Sequence, residues 1–192
     1  MFNQPTKSKW QRANSHYNVP KIKNFTKAIQ NKYYLMGGRW NKTNLTFNDS
    51  ALPSNQQLLA EDAINKINAL GILHLTKTAK KANITIINKV LTDETELGRA
   101  ETPKSDQPEY KNLDHIYTAT IKINNNYIKQ NAETNYNNYY EQNIAHELGH
   151  VFGLDHDADQ SDNTMSAFGS PFTGTYKIDK DYITRLALLY QN

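Results

Sequence analysis

Hydrophobic and polar residues alternate along several short stretches of the chain, as they do in strands that bury one face. On this basis we predict five strands, at 39–48, 72–78, 82–87, 97–101 and 116–123. Trp40 and Phe47 are the expected core anchors of the first strand. In the last strand, Tyr117 and Ala119 are expected to share one buried face because they are two positions apart.

Apolar residues spaced three or four positions apart predict three helices. The first follows Ser54, which forms a capping-box pattern with Gln57. The second covers residues 139–154 and comes after an Asn- and Tyr-rich stretch, 124–138, that we expect to be a loop. The third begins after Asp179, a residue that commonly caps helix N-termini.

The second of these helices carries two histidines and a glutamate at a distinctive spacing. His146 and His150 are four residues apart, so both imidazoles leave the same face of the helix. Two nitrogen ligands at that separation can bind one zinc ion. Glu147 lies beside the first ligand and can act as a general base toward a metal-activated water.

The residues that follow extend this motif. Gly153 permits the sharp turn that would bring His156 to the same ion as a third ligand. Three histidines leave zinc one further position, which is typical of a catalytic site. Met165 follows nine residues after His156 and resembles the Met-turn of metzincin metallopeptidases. The alternative is a surface helix with incidental histidines and a methionine that only fills the core.

Composition limits the remaining possibilities. The 192 residues include no cysteine, which excludes disulfides and thiolate catalysis. Residues 1–48 contain nine Lys or Arg and no acid, whereas the rest contains 13 basic and 19 acidic residues. We therefore predict a basic N-terminal extension over residues 1–32, in which 24–30 could form a short helix. Such an arm could bind an acidic polymer, or it could be a solvated linker.

Other polar residues could in principle bind a metal, but a simpler interpretation exists for each. Asp114 and His115 precede the last predicted strand and are interpreted as a strand-entry turn. His74 is interpreted as an ordinary strand residue. Four aspartates could hold calcium, although they lack the spacing of an EF-hand and could equally be solvated: Asp155, Asp157, Asp159 and Asp162.

With these motifs the chain resembles the metzincin metallopeptidases, and most closely the matrixins. The resemblance covers residues 33–192, with similar segments at 39–47, 82–86, 97–100 and 178–190. It implies an α+β, zincin-like fold, in which a twisted five-stranded mixed sheet is combined with three helices. A zinc cleft would separate an upper subdomain, 33–153, from a lower subdomain, 154–192.

Residue by residue, the resemblance implies that zinc is bound by His146, His150 and His156. It also implies that Glu147 is the general base and that Met165 forms the Met-turn. Two features depart from the matrixin pattern. Asp157 follows the third histidine, as in adamalysins, where matrixins usually have serine. Only nine residues, 88–96, connect the third and fourth predicted strands, so the structural zinc and calcium sites of matrixins are expected to be reduced or absent.

We therefore expect a matrixin-like zinc endopeptidase that binds protein or peptide substrates in extended form along the edge strand. The alternative is a surface-binding protein that uses the basic arm, for instance on an acidic cell-surface polymer, and retains a vestigial site. We expect a monomer with an extracellular or cell-surface location. Neither a nucleic-acid partner nor a membrane span is expected.

Overall fold

The computed structural model describes residues 10–93, 95–132, 135–157, 163–167 and 177–192. Five helices are found in this part of the chain: α1 (Lys27–Lys32), α2 (Ser54–Asn68), α3 (Asn125–Asn131), α4 (Tyr136–Val151) and α5 (Lys180–Gln191). The strands are β1 (Gly38–Arg39), β2 (Asn44–Asn48), β3 (His74–Lys77), β4 (Ile84–Asn88), β5 (Gly98–Glu101), β6 (Asp114–His115) and β7 (Ala119–Ile123).

The main sheet has five strands in the order β3-β2-β4-β7-β5. All neighbouring pairs are parallel except β5 and β7, which are antiparallel, so the sheet is mixed. Alternating apolar residues supply the buried face: Leu45 and Phe47 in β2, and Ile84 and Ile86 in β4, are at most 3 % exposed. A separate two-stranded parallel sheet joins β1 to β6. The predicted α+β fold with a five-stranded mixed sheet is confirmed.

The two longest helices lie on one side of this sheet. α4 contacts β5 and β7, and α2 contacts both β3 and α4. Each buries an apolar stripe at helical spacing, as the periodicity predicts. In α4 the stripe consists of Tyr140, Ile144, Leu148 and Val151, all fully buried. This packing fixes α4 against β5, the strand at the edge of the sheet, and so determines where the cleft can form. No helix in the described ranges is both long and apolar enough to cross a membrane.

The number of helices differs from the expected three, because α3 is added and the possible short helix at 24–30 is present as α1, shifted to Lys27–Lys32. The stretch 124–138, expected to be a loop, contains α3 and the first turn of α4. Asn124 caps α3, since its side chain accepts a hydrogen bond from the backbone N–H of Tyr127. The prediction of a loop was wrong because abundant asparagine was taken as a signal for irregular structure, whereas here it begins a helix.

Two smaller predictions were also wrong. Ser54 does not cap α2: the N-cap residue is Pro53, and no side chain caps this end. Gln57 instead donates to the carbonyl oxygen of Leu52, at 2.8 Å. Tyr117 does not share the buried face of the last strand, because β7 begins only at Ala119 and the tyrosine is 54 % exposed.

The N-terminal segment over residues 10–32 packs onto the rest of the molecule. Gln11 donates a backbone hydrogen bond to Asn41, and Ala13 donates one to Tyr190 in α5, each at 2.7 Å. Phe25 is fully buried in the main core. The predicted boundary between residues 32 and 33 stays a prediction, but the described part of the extension contributes to the hydrophobic core.

Candidate metal centre and catalytic cleft

α4 presents His146 and His150 on a different face from its buried apolar stripe. The helix ends at Val151, and the backbone N–H of Gly153 then bonds to the carbonyl oxygen of His150 at 2.9 Å. Gly153 has a φ of 100°, a conformation that disfavours other residues. A Cβ at this position would also lie 2.1 Å from the carbonyl oxygen of Gly38. The glycine therefore serves both the turn and a close backbone approach, and the turn leads the chain back to His156.

Three imidazoles converge at this turn. The Nε2 atom of His150 lies 3.1 Å from that of His146 and 3.2 Å from that of His156, and the third separation is also 3.2 Å. Among the described residues, these three side chains form a group that could hold a metal ion. The sequence-predicted ligands are thus brought to a single point, two from the helix and one from the chain that follows it.

Two of the three rings are oriented by backbone carbonyl groups. The Nδ1 atom of His146 lies 2.8 Å from the carbonyl oxygen of Thr164, and that of His150 lies 2.8 Å from that of Leu154. A hydrogen bond at Nδ1 favours the tautomer whose Nε2 lone pair is free. Both Nε2 atoms can therefore act as ligands in the direction in which the rings already point.

Burial keeps these imidazoles neutral. It is the main reason why the pKa of His146 is lowered to about 3, and the neighbouring His150 contributes to this shift. Burial likewise lowers the pKa of His150 to about 4. Neutral rings at physiological pH retain the lone pair that a metal ion requires.

The donor set fits zinc. Ligands around a tetrahedral zinc ion with bonds of about 2.0–2.1 Å are separated by about 3.3–3.4 Å. The observed Nε2 separations of 3.1–3.2 Å are close to this value. A set of three nitrogen donors without a thiolate is also typical of a catalytic rather than a structural zinc site.

Glu147 lies in the same cleft and is only 3 % exposed. Its pKa is raised to about 8, mainly by burial and in part by the nearby Glu96, although a hydrogen bond from the Ala100 backbone amide opposes this shift. Its Oε2 atom is buried without a hydrogen-bond partner in the described part of the chain. A buried carboxylate oxygen of this kind is suited to meet a polar group of a water or a substrate.

The cleft has a volume of about 480 Å³. One wall is β5 with the residues before it, and another is α4, where Asn143 donates to the carbonyl oxygen of Leu97 at 2.9 Å. Met36, Asp155 and Ala167 also line the cleft. Because β5 is the last strand of the sheet, its second edge is not paired with any strand among the described residues.

Met165 is 1 % exposed and packs below the ligand helix. Its carbonyl oxygen accepts a hydrogen bond of 2.9 Å from the backbone N–H of Asp157, the residue after the third histidine. Thr164, the residue before it, supplies the carbonyl that orients His146. The segment predicted to be a Met-turn is therefore connected to the histidine group through its backbone carbonyl groups, one bonded to the His146 ring and one to the Asp157 N–H.

Among the other polar residues considered above, Asp155 lines the cleft, whereas Asp114, His115 and His74 are not part of its lining. Asp114 and His115 form β6, where Asp114 is 3.3 Å from the ammonium of Lys104. His74 is an exposed residue of β3. Asp157 is buried and accepts a hydrogen bond from Asn163, whereas Asp159 and Asp162 lie outside the described residues. The calcium alternative stays a prediction.

Two residues near the site were not recognised from the sequence. Arg185 in α5 donates to the carbonyl oxygen of Asp155, next to the third histidine. Asp179 was expected only to cap α5, yet it also accepts a hydrogen bond of 2.7 Å from the Thr164 backbone N–H. The sequence did contain a signal for Arg185, because this charged residue lies within the apolar stripe of α5. A charged side chain in such a position is expected to be buried and paired.

The fold and the histidine group together define a metallopeptidase. A family model described as metallo-peptidase family M12 (Reprolysin_5) matches residues 41–184, which is most of the chain. The chain therefore belongs to metallopeptidase family M12, a zinc-dependent family. No curated protein matches the chain.

Proposed function

We propose that this chain is a zinc endopeptidase whose metal ligands are His146, His150 and His156 and whose general base is Glu147. The observation that carries the proposal is the convergence of three Nε2 atoms within 3.2 Å of one another, in a cleft that also contains a buried carboxylate. Membership of family M12 supports the peptidase class.

The proposed chemistry divides between the metal and the protein. When bound, zinc supplies a Lewis acid that polarises the scissile carbonyl and lowers the pKa of a water molecule toward about 7. Glu147 accepts a proton as water attacks and then delivers it to the leaving amine nitrogen. A cation held by the histidines favours the charged form of this carboxylate, opposing the effect of burial on its pKa.

We propose further that the substrate binds in extended form along β5. This strand is at the edge of the sheet, and its residues Gly98, Arg99 and Ala100 line the cleft. An unpaired strand edge offers backbone hydrogen bonds to an extended peptide, which explains how cleavage would depend on the main chain as well as on side chains.

The matrixin-like subtype and an extracellular or cell-surface location are finer proposals. The resemblance of the sequence over residues 33–192 supports the first. Asp157, which follows the third histidine and is buried against Asn163, is the adamalysin-like feature within the same site. A profile of cleaved peptides would assign the subtype through its preferences on either side of the scissile bond.

The decisive experiment replaces the base and keeps the ligands. Glu147→Gln is nearly isosteric, so we expect it to bind stoichiometric zinc while hydrolysis of casein falls by at least about 10²-fold. Glu109→Gln, a solvent-exposed substitution outside the cleft lining, is the matched control and should retain full activity. Full activity of the Glu147 variant, or activity of the wild type after complete removal of metal, would refute the proposal.

A second candidate function concerns the N-terminal segment. No acid occurs in residues 1–48. Five basic side chains of the described part of this segment are exposed, namely Arg12, Lys21, Lys23, Lys27 and Lys32. A segment with basic and no acidic residues supports binding to an acidic polymer. This binding would accompany the peptidase activity or, if the metal site is vestigial, replace it. Replacing the five residues by glutamine should abolish salt-sensitive retention on dextran sulfate. As a control, replacing exposed lysines elsewhere should leave this retention in place. The lysines are Lys80, Lys81, Lys89 and Lys129.

A further inference from the structure

Arg185 is a buried cation close to the candidate metal centre. Its side chain is 2 % exposed, and it lies in α5, which does not supply any of the three histidines. One terminal nitrogen, Nη2, donates to the carbonyl oxygen of Asp155 at 2.6 Å and also to that of Tyr34. The other, Nη1, is 3.2 Å from a carboxylate oxygen of Asp181. The guanidinium therefore joins three separate parts of the chain.

Asp155 immediately precedes the third histidine, and its backbone polar groups and one of its carboxylate oxygens are hydrogen-bonded. Its backbone N–H donates to the carbonyl oxygen of Tyr34 at 2.7 Å. Its carboxylate accepts a hydrogen bond of 2.8 Å from the backbone N–H of His156. Its carbonyl oxygen accepts the bond from Arg185. The peptide between Asp155 and His156 is thus fixed from both of its sides, and Arg185 provides the contact that comes from α5.

The third histidine depends on this backbone more than the other two do. His146 and His150 are carried by a packed helix, and each has an Nδ1 atom held by a carbonyl oxygen. His156 lies beyond the helix, is exposed, and has no corresponding Nδ1 partner among the described residues. Its ring is therefore placed by the conformation of the chain at Asp155 and not by a hydrogen bond to the ring itself.

We propose that Arg185 is a positioning residue for metal binding, which holds Asp155 so that His156 reaches the ion bound by the other two histidines. The inference rests on the proposed function of this site. Arginine is suited to the role because one planar group can donate to two carbonyl oxygens and pair with a carboxylate at the same time. Lysine carries the same charge but cannot reproduce this arrangement.

Zinc affinity is the direct measurement, made on the whole chain by competition with a fluorescent chelator. Arg185→Gln should weaken zinc binding by about tenfold or more, which is the range found when residues that orient metal ligands are replaced. Lys180→Gln removes an exposed positive charge from the same helix and should leave the affinity unchanged. Arg185→Lys should lose affinity to an intermediate degree.

A double-substitution cycle separates positioning from general stability. In the His156→Ala background the third ligand is already absent, so Arg185→Gln should cause little further loss of zinc affinity. A purely structural role would instead give the same loss in both backgrounds, and that result would overturn the inference. If Arg185→Gln does not fold, Arg185→Lys is measured in the same cycle. A zinc affinity of Arg185→Lys equal to that of wild type would then also overturn the inference.

The two proposals fail in different ways. If the wild-type chain binds no zinc, or if His146→Ala binds it as tightly as wild type, the proposed function is refuted together with this inference. If wild type binds zinc through the histidines and the Arg185 variants bind it equally well, only the positioning role is refuted.

Discussion

Gly149 and Met165 are in contact across the floor of the candidate metal centre. A Cβ atom placed on Gly149 would lie 2.3 Å from the sulfur of Met165 and 3.0 Å from the ring of Tyr182. Gly149 precedes the proposed ligand His150, and Met165 follows the carbonyl group that orients His146. The two segments that place the ligands therefore approach each other as closely as a glycine permits.

This contact predicts that Gly149→Ala is destabilising. Met165 and Tyr182 are at most 1 % exposed, so neither can move aside without disturbing the core. We expect the free energy of unfolding to fall by about 1–3 kcal/mol, which chemical denaturation would measure. Shortening the partner should relieve the overlap: in a Met165→Ala background the added methyl group should cost less. Equal losses in both backgrounds would contradict the explanation.

Asp179 connects the predicted Met-turn to α5 through two oxygen atoms. One accepts the backbone N–H of Tyr182 at 2.9 Å, and the other accepts that of Thr164 at 2.7 Å. Asp179→Ala removes both bonds and should destabilise the protein by about 1–2 kcal/mol or slightly more, since loss of an N-cap alone costs about 0.5–2 kcal/mol. Thermal unfolding would show the loss.

A matched pair of variants tests this dual role. Asp179→Ser keeps one acceptor for the helix cap but cannot also reach Thr164, so its stability should lie between those of wild type and Asp179→Ala. Lys180→Ala is the control on the neighbouring exposed position and should have little effect. If the serine variant were as stable as wild type, the second hydrogen bond would contribute nothing.

The burial of Phe25 predicts that the N-terminal segment is part of the folded unit. Its side chain is fully buried, and its backbone N–H donates to the carbonyl oxygen of Lys111 at 2.8 Å. Phe25→Ala should lower stability by about 3–5 kcal/mol, the usual cost of removing a buried phenylalanine. Lys23→Ala, on an exposed side chain of the same segment, should change it by no more than about 0.5 kcal/mol. Similar small effects of both variants would favour a separable extension.

Periodicity and spacing gave a large part of this architecture. The alternating pattern predicted all five strands of the main sheet, and helical spacing predicted α2, α4 and α5. Asp179 was correctly expected to begin the last helix. These predictions succeeded because each depends on neighbouring residues in the sequence, through side-chain direction in a strand or helix. The failures were local too, as in 124–138, where polar composition was taken to exclude helices.

The contacts around the candidate metal centre could not be predicted in this way, because they join residues far apart in the sequence. Arg185 lies 30 residues from Asp155, and its contact to Tyr34 spans 151 positions. No periodicity relates such residues, because they come together only through the packing of α5 against the body of the molecule. The same holds for Phe25, whose burial could not be read from a polar, basic segment.

By itself, the sequence determined which side chains could bind zinc and which could act as a base, since the separation of His146, Glu147 and His150 along a helix fixes their relative directions. Only the tertiary structure decided that His156 meets them and that Met165 lies beneath Gly149. It also decided that Arg185 donates a hydrogen bond to Asp155, just before His156. The physical reason is that a helix fixes geometry through local hydrogen bonds, whereas the path of the chain beyond it depends on long-range packing.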